Sequence, residues 1–232
     1  MAVCYDTAVT TPSRVSLQGR IEPARRRFLA QFGLASASLG AIMGSVIPAH
    51  AQSTSTSPRR HAADDWMDAL PSAHRMVFDA VSATGTEDVR HYASNVFLAN
   101  RTGYDVDTRD VGVIVVLRHN ATPFGYNDAM WAKYGSAFAD EMKLADKAPS
   151  KNPANGEGET LDGVSRQGAH FAVCAMATHR FAGIAARKSG GTADAIFEEL
   201  GKNLIANAHL TPAGIVAVGR AQERGFAFGY AG

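Results

Sequence analysis

The chain of 232 residues is 46% apolar and 19% charged, and its 23 Lys and Arg against 22 Asp and Glu give a formal net charge of +1. No basic block follows the N-terminal region, so the sequence lacks the clustered positive face that nucleic-acid binding requires. We therefore expect no nucleic-acid partner and no attachment to an anionic membrane.

The N-terminal region has the organisation of an export signal. Residues 25–51 read RRRFLAQFGLASASLGAIMGSVIPAHA, a basic start followed by a moderately apolar stretch and an Ala-x-Ala ending. This order is typical of a secretory signal, and the start resembles the twin-arginine motif. We predict a signal peptide over 1–51 that the export machinery binds through Arg25 and Arg26, with cleavage after Ala51 and a periplasmic product. An ordinary signal or an uncleaved anchor is the alternative.

Cleavage would leave 181 residues, a length that suits one domain with a full hydrophobic core. The remaining 18 basic and 20 acidic residues are nearly balanced. Cys4 would be lost with the signal, so Cys174 would be the only thiol and no internal disulfide could form. A single thiol in an oxidising compartment is a liability unless it is buried or used.

The pattern along the rest of the chain predicts a flexible linker over 52–73 and one α/β domain over 74–232. Short apolar runs alternate with amphipathic segments, which is typical of strands and helices in a mostly parallel sheet. The predicted fold class is therefore a three-layer, mostly parallel sheet flanked by helices. The predicted strands cover 75–81, 111–119, 169–174 and 226–230, and the predicted helices cover 86–103, 127–134, a second piece to 144, 177–191, 192–204 and 211–225.

Cys174 falls at the end of a predicted strand and shortly before a predicted helix. In open parallel sheets, functional groups gather at such strand ends, and the positive end of a helix favours a thiolate. His119 and His179 follow neighbouring strand ends and are candidate partners of that thiolate. The alternative is that Cys174 is a buried packing residue, since cysteine is among the most buried residue types.

Two stretches resemble the DsrE-like sulfur-relay superfamily. They are GAHFAVCAMATHRFAGI, around Cys174, and LIANAHLTPAGIVAVGRAQERGFAFGY, over 204–230. The resemblance covers roughly residues 74–230 and implies a Rossmann-like topology. It also implies that Cys174 carries sulfur as a persulfide, exchanged with a donor or acceptor protein or with a small sulfur compound. A homo-oligomer is left open.

The chain also departs from that family. The relay members are typically cytoplasmic, whereas this chain begins like an exported protein. Ala175, Met176 and Ala177 follow the cysteine, where the family signature often has a second cysteine or a glycine. We therefore interpret the chain as an exported branch of the superfamily.

An aromatic-rich segment at 119–134 has no counterpart in the compact relay proteins. Phe124, Tyr126 and Asn127 within it are candidates for one wall of a ligand pocket over Cys174. The alternative is a hydrophobic cover for the sheet, in which Asn127 or Asp128 caps the next helix.

The sequence contains no standard motif for a metal or a cofactor. It lacks H-x-x-x-H and C-x-x-C pairs, a G-x-S-x-G elbow, a Walker loop and a G-x-G-x-x-G fingerprint. We expect no cofactor, and a metal or haem site is the weakest hypothesis. The leading hypothesis is sulfur handling by Cys174, and the alternative is a non-catalytic binding or assembly module with an inert cysteine. Whether the protein is an enzyme stays open.

Overall fold

Five parallel strands form the central sheet of the protein. The computed structural model describes residues 58–156 and 159–232, so the predicted signal peptide over 1–51 lies outside the described residues. The strand order is β4-β3-β2-β1-β5, and every neighbouring pair is parallel. The strands are β1 His74–Ala80, β2 Val111–Leu117, β3 His170–Cys174, β4 Ala208–Thr211 and β5 Ala227–Ala231.

Helices cover both faces of this sheet, which confirms the predicted three-layer α/β fold class. None of the helices in the described ranges is long and apolar enough to cross a membrane. The helices are α1 Asp65–Asp68, α2 Ala83–Tyr104, α3 Asp128–Met142, α4 Leu161–Arg166, α5 Ala175–Ser189, α6 Ala193–Lys202 and α7 Gly214–Gln222, with short 3-10 turns at Ala62–Asp64, Thr108–Asp110, His119–Gly125 and Pro153–Asn155.

The two faces of the sheet carry cores of unequal size. Successive side chains of a strand point to opposite faces, and the buried runs of β1, β2 and β3 contribute to both cores. The larger core lies under α2 to α6 and includes Phe97, Phe138 and Phe181. The smaller core lies under α1 and α7 and includes Met67 and Val218. Among the described residues, two short helices cover the second face.

The structure differs from the predicted elements in several places. Residues 208–211 form β4, which the sequence did not predict, so Thr211, the first residue of the predicted helix over 211–225, lies in a strand. α7 begins later, at Gly214, and its N-cap Ala213 offers no side-chain hydrogen bond. The two helical pieces predicted up to residue 144 form the single helix α3, in which Gly135 lets the Pro149 carbonyl oxygen approach closely.

Part of the predicted linker over 52–73 packs on the sheet, so the prediction of flexibility is wrong there. Met67 is fully buried in the smaller core. The Trp66 ring stacks on His209, with ring centroids 4.1 Å apart. Nε2 of His209 in turn forms a hydrogen bond with Nδ1 of His170 at 3.1 Å. The polar composition of this segment gave no indication that Trp66 and Met67 pack on the sheet.

The histidine pair under Trp66 predicts acid sensitivity of the fold. Burial lowers the pKa of His170 and His209, and in His209 the neighbouring imidazole lowers it further. Because the unfolded chain then binds more protons, the free energy of unfolding should fall as the pH drops through the ordinary imidazole pKa of about 6.5 and below. His209→Gln keeps a planar amide beneath Trp66 and should flatten this dependence. Urea unfolding of both proteins between pH 8 and pH 5 measures it, and equal slopes would contradict the prediction.

Candidate functional site

Cys174 is the last residue of β3 and the N-cap residue of α5, which confirms its predicted position between a strand and a helix. Its Sγ accepts a hydrogen bond from the backbone N–H of Ala177 at 3.5 Å. The Thr178 hydroxyl donates to the Cys174 carbonyl oxygen at 2.9 Å. Cys174 is 7% exposed. The thiol therefore lies at the positive end of a helix, where only a small part of its surface is open to solvent.

A crevice is expected beside Cys174 because the chain leaves two neighbouring strands in opposite directions. Cys174 pairs with Thr211 at the end of β4. After β3 the chain enters α5, which packs in the larger core, whereas after β4 it leads to α7, which packs in the smaller core. In open α/β sheets, ligands bind where neighbouring connections diverge in this way. Cys174 and Thr211 mark that point here.

Arg118 lies next to Cys174 in the same row of the sheet. Leu117 is the Cα partner of Val173, and Arg118 continues the ladder because its N–H donates to the Ala80 carbonyl oxygen at 3.1 Å. Arg118 and Cys174 follow Val116 and Ala172 by two residues, and both of these face the smaller core. The alternation of side chains therefore directs Arg118 and Cys174 to the same face.

A buried ion pair with Asp79 holds Arg118 in place. Arg118 Nε and Nη2 donate to the two carboxylate oxygens of Asp79 at 2.7 and 2.8 Å. The Asp79 side chain is 3% exposed and the Arg118 side chain is 27% exposed. Such two-pronged pairing fixes both the position and the plane of the guanidinium group.

The hydrogen bond to Asp79 raises the pKa of Arg118, and the nearby Tyr230 and Cys174 side chains add smaller electrostatic contributions. The strand register and the shared face of the sheet place Arg118 beside Cys174. Tyr230 is exposed and pairs with Asp79 in the register of β5 on β1.

The start of α7 packs directly on Arg118. A Cβ atom at Gly214 would lie 2.6 Å from the Cβ of Arg118. Glycine is therefore required at this position for α7 to begin where it does, against the Arg118 side chain. The close approach brings the first turn of α7 to the same strand ends as Cys174.

Neither predicted histidine partner forms a hydrogen bond with Cys174 in the part of the chain that the structure describes. His179 is exposed and its ring stacks on Phe197 of α6, with centroids 3.6 Å apart. His119 is exposed and begins the 3-10 turn after β2 with a positive φ of 53°. The cationic group that lies near Cys174 is the Arg118 guanidinium instead.

Phe124 and Tyr126, two of the residues predicted as a pocket wall, are buried in the larger core. The Tyr126 hydroxyl donates to Thr178 at 2.9 Å, and burial raises the pKa of Tyr126. Asn127 caps α3 by accepting from the Met130 N–H, as in the capping alternative. Phe124 also lines a separate cavity of about 250 Å³ with Glu87 and Arg90.

The described residues contain no candidate metal site. No group of three or more His, Cys, Asp or Glu side chains in 58–156 and 159–232 could hold a metal ion. The hydrogen-bonded pair of His170 and His209 lies further down the sheet, under Trp66.

Sequence reasoning missed Asp79 and Arg118. Asp79 interrupts the apolar run of β1, and Arg118 directly follows the continuously apolar β2. A charged residue in or next to a buried strand is a signal that it has a partner. Identifying the partner requires the strand register.

No family model, no curated protein and no solved structure matches this chain. The resemblance to DsrE-like proteins therefore stays a prediction from the two sequence stretches that carry it.

The N-cap role of Cys174 predicts different effects of two small substitutions. Cys174→Ala removes the acceptor for the Ala177 N–H and should lower the free energy of unfolding by about 1 kcal/mol. Cys174→Ser keeps an acceptor of the preferred N-cap type and should leave that free energy unchanged or raise it. Urea unfolding of the three proteins measures this. Equal destabilisation by serine and alanine would show that the cap contributes nothing.

Substitutions of Asp79 and Arg118 should have non-additive effects on the free energy of unfolding, because the two side chains form one ion pair. Asp79→Asn weakens the pairing of the guanidinium and should lower the free energy of unfolding by about 2–3 kcal/mol. Adding Arg118→Gln should recover part of this loss, because no charge is then left without its partner. The exposed pair Asp107 and Arg109 serves as a control, and Asp107→Asn should have little effect. Additive effects of the two substitutions in the buried pair would argue against the coupling.

Proposed function

We propose that this protein handles sulfur through Cys174, as a persulfide carrier or by a related transfer of sulfur to and from the thiol. The observation that carries the proposal is the placement of Cys174 at the end of β3 and at the N-terminus of α5, beside Arg118 in the register of the sheet. A thiolate is the nucleophilic form of cysteine.

The proposed reaction conserves atoms and electrons without an external oxidant. The Cys174 thiolate attacks the sulfane sulfur of a donor and forms a new S–S bond. The bond between that sulfur and the rest of the donor breaks, and the leaving group keeps its electron pair. In the second half of the cycle an acceptor thiolate attacks the outer sulfur, and Cys174 leaves as a thiolate.

The burial of Cys174 supports a carrier that admits small molecules or a narrow peptide segment. At 7% exposure, the sulfur is shielded from bulky oxidants, which protects a persulfide from further oxidation. The neighbours of this strand end are small: Thr211 pairs with Cys174, and Gly214 packs against Arg118. A broad protein surface would have to insert a chain end or a loop to reach the sulfur.

The proposed partners are a sulfur donor or acceptor protein or a small sulfur compound, as the DsrE-like resemblance implies. The proposed location is the periplasm, after recognition of Arg25 and Arg26 by the export machinery and cleavage after Ala51. In that compartment a lone thiol has no internal disulfide partner, so exchange with external sulfur compounds is its available chemistry.

A second candidate function is a non-catalytic binding or assembly module in which Cys174 is inert. One observation favours it: the Cys174 sulfur already accepts the Ala177 N–H and so has a structural role as an N-cap. In this case the folded protein would resist alkylation at Cys174, and Cys174→Ser would behave as the wild type in every assay.

Loading with a sulfane donor should convert Cys174 to its persulfide. Folded protein 52–232 incubated with a sulfane donor is expected to gain about 32 Da, the mass of one sulfur atom, and dithiothreitol should remove it. Intact-mass and peptide spectrometry measure the adduct and its position. Cys174→Ser is the matched control, because serine keeps the helix cap but should acquire no mass. A wild-type protein that is alkylated by iodoacetamide but gains no sulfur would contradict the carrier proposal.

A further inference from the structure

Arg118 has hydrogen-bonding capacity that Asp79 does not use. A guanidinium group carries five N–H donors, and Asp79 accepts from Nε and from one N–H of Nη2. Two donors on Nη1 and one on Nη2 remain, and no other described residue accepts a hydrogen bond from them. The side chain is 27% exposed, so this unused edge of the guanidinium group is open to a ligand.

The position of this unused edge is fixed by its surroundings. Asp79, a residue of β1, fixes the guanidinium plane by accepting two hydrogen bonds from it. Gly214 restricts the base of the side chain, because α7 approaches the Arg118 Cβ closely. Arg118 is also in the row of Cys174 on the adjacent strand. A ligand that binds the open edge is therefore held beside the sulfur.

We infer that Arg118 determines the substrate class of this site: it binds the oxyanion end of a small anionic sulfur donor, of the type that bears a sulfane sulfur on a sulfonate group. Thiosulfate is the simplest such compound. This inference rests on the proposed function, which it makes more specific. The planar fork of arginine matches two oxygens of such a group, as it matches carboxylate and phosphate.

The transfer step for such a donor is balanced. The Cys174 thiolate attacks the outer sulfur of thiosulfate, the S–S bond of thiosulfate breaks, and sulfite leaves with the electron pair. The reactants are the Cys174 thiolate and the thiosulfate dianion, and the products are the Cys174 persulfide anion and the sulfite dianion, so the total charge is unchanged. Arg118 binds two of the oxygens that become part of sulfite and so stabilises the leaving group.

Asp79 largely compensates the charge of Arg118, so net charge alone does not select the ligand. Selection comes from the directed N–H donors of the open edge. The N-terminal ends of α5 and α7 add positive potential at the same strand ends. With Cys174 at 7% exposure, compact anions are favoured over large ones.

A pair of alkylating agents that differ in charge tests this assignment independently of sulfur transfer. Iodoacetate and iodoacetamide react with the same thiol, but only iodoacetate carries an anionic group. The ratio of their rates at Cys174 should exceed the ratio for free N-acetylcysteine by about fivefold or more. Arg118→Gln should return the ratio to the free-thiol value. Arg109→Gln, in the 3-10 turn that precedes β2 and so at the other end of that strand from Arg118, is the matched control and should keep the wild-type ratio.

The same variants are then loaded with thiosulfate, and the concentration that half-saturates the 32 Da adduct is measured. Arg118→Gln should raise this concentration about tenfold or more. The double variant Asp79→Asn/Arg118→Gln removes the lone carboxylate and should show the same loss if Arg118→Gln folds poorly. Circular dichroism confirms that each variant is folded.

The outcomes separate this inference from the proposed function. An adduct that forms at the wild-type thiosulfate concentration in both Arg118 variants overturns the role of Arg118 and leaves the carrier proposal standing. Absence of any adduct in the wild type, with an iodoacetate preference that the Arg118 variants lose, overturns the sulfur carrier and supports anion binding by Arg118. Equal iodoacetate ratios in the wild type, the variants and the free thiol overturn the inference.

Discussion

The candidate site depends on one ion pair between neighbouring strands. The Asp79 carboxylate is almost fully buried on the side of the sheet that carries the smaller core. A buried carboxylate is tolerated when a cation and directed hydrogen bonds compensate its loss of hydration, and Arg118 supplies both. The pairing in turn fixes a guanidinium at the ends of the strands. Gly214, the start of α7 and the neighbouring Cys174 are all arranged around it.

The unequal covering of the two faces explains why the site lies where it does. Longer helices cover the larger core, and most of its side chains are buried. The other face is covered by α1 and α7, which together span 13 residues. Residues at the strand ends of this face, such as Arg118 and Tyr230, keep some exposure. The same apolar residues that stabilise the sheet therefore leave one edge of it available for chemistry.

The fold class could be predicted from sequence because its signals are local. The apolar run of β2 and the amphipathic pattern of α2 each identify an element without knowledge of the rest. β4 has four residues and only partial burial, so its pairing with β3 decides it. The position of Cys174 could be predicted for the same reason, but its neighbour Arg118 could not. The pairing of Arg118 with Asp79 depends on strand register, which brings together residues 39 positions apart.

The structural role of Cys174 as an N-cap is compatible with its proposed role in sulfur transfer, because the two roles use different atoms of a persulfide. As an N-cap, the sulfur accepts one backbone N–H at 3.5 Å, which a serine hydroxyl would also do. Capping therefore does not by itself account for a thiol at this position. A persulfide places its outer sulfur about 2 Å beyond the first, so the inner sulfur can still accept the Ala177 N–H. In the proposed cycle the helix cap would orient the inner sulfur while the outer one is exchanged, because the contact that positions the thiol is not the bond that reacts.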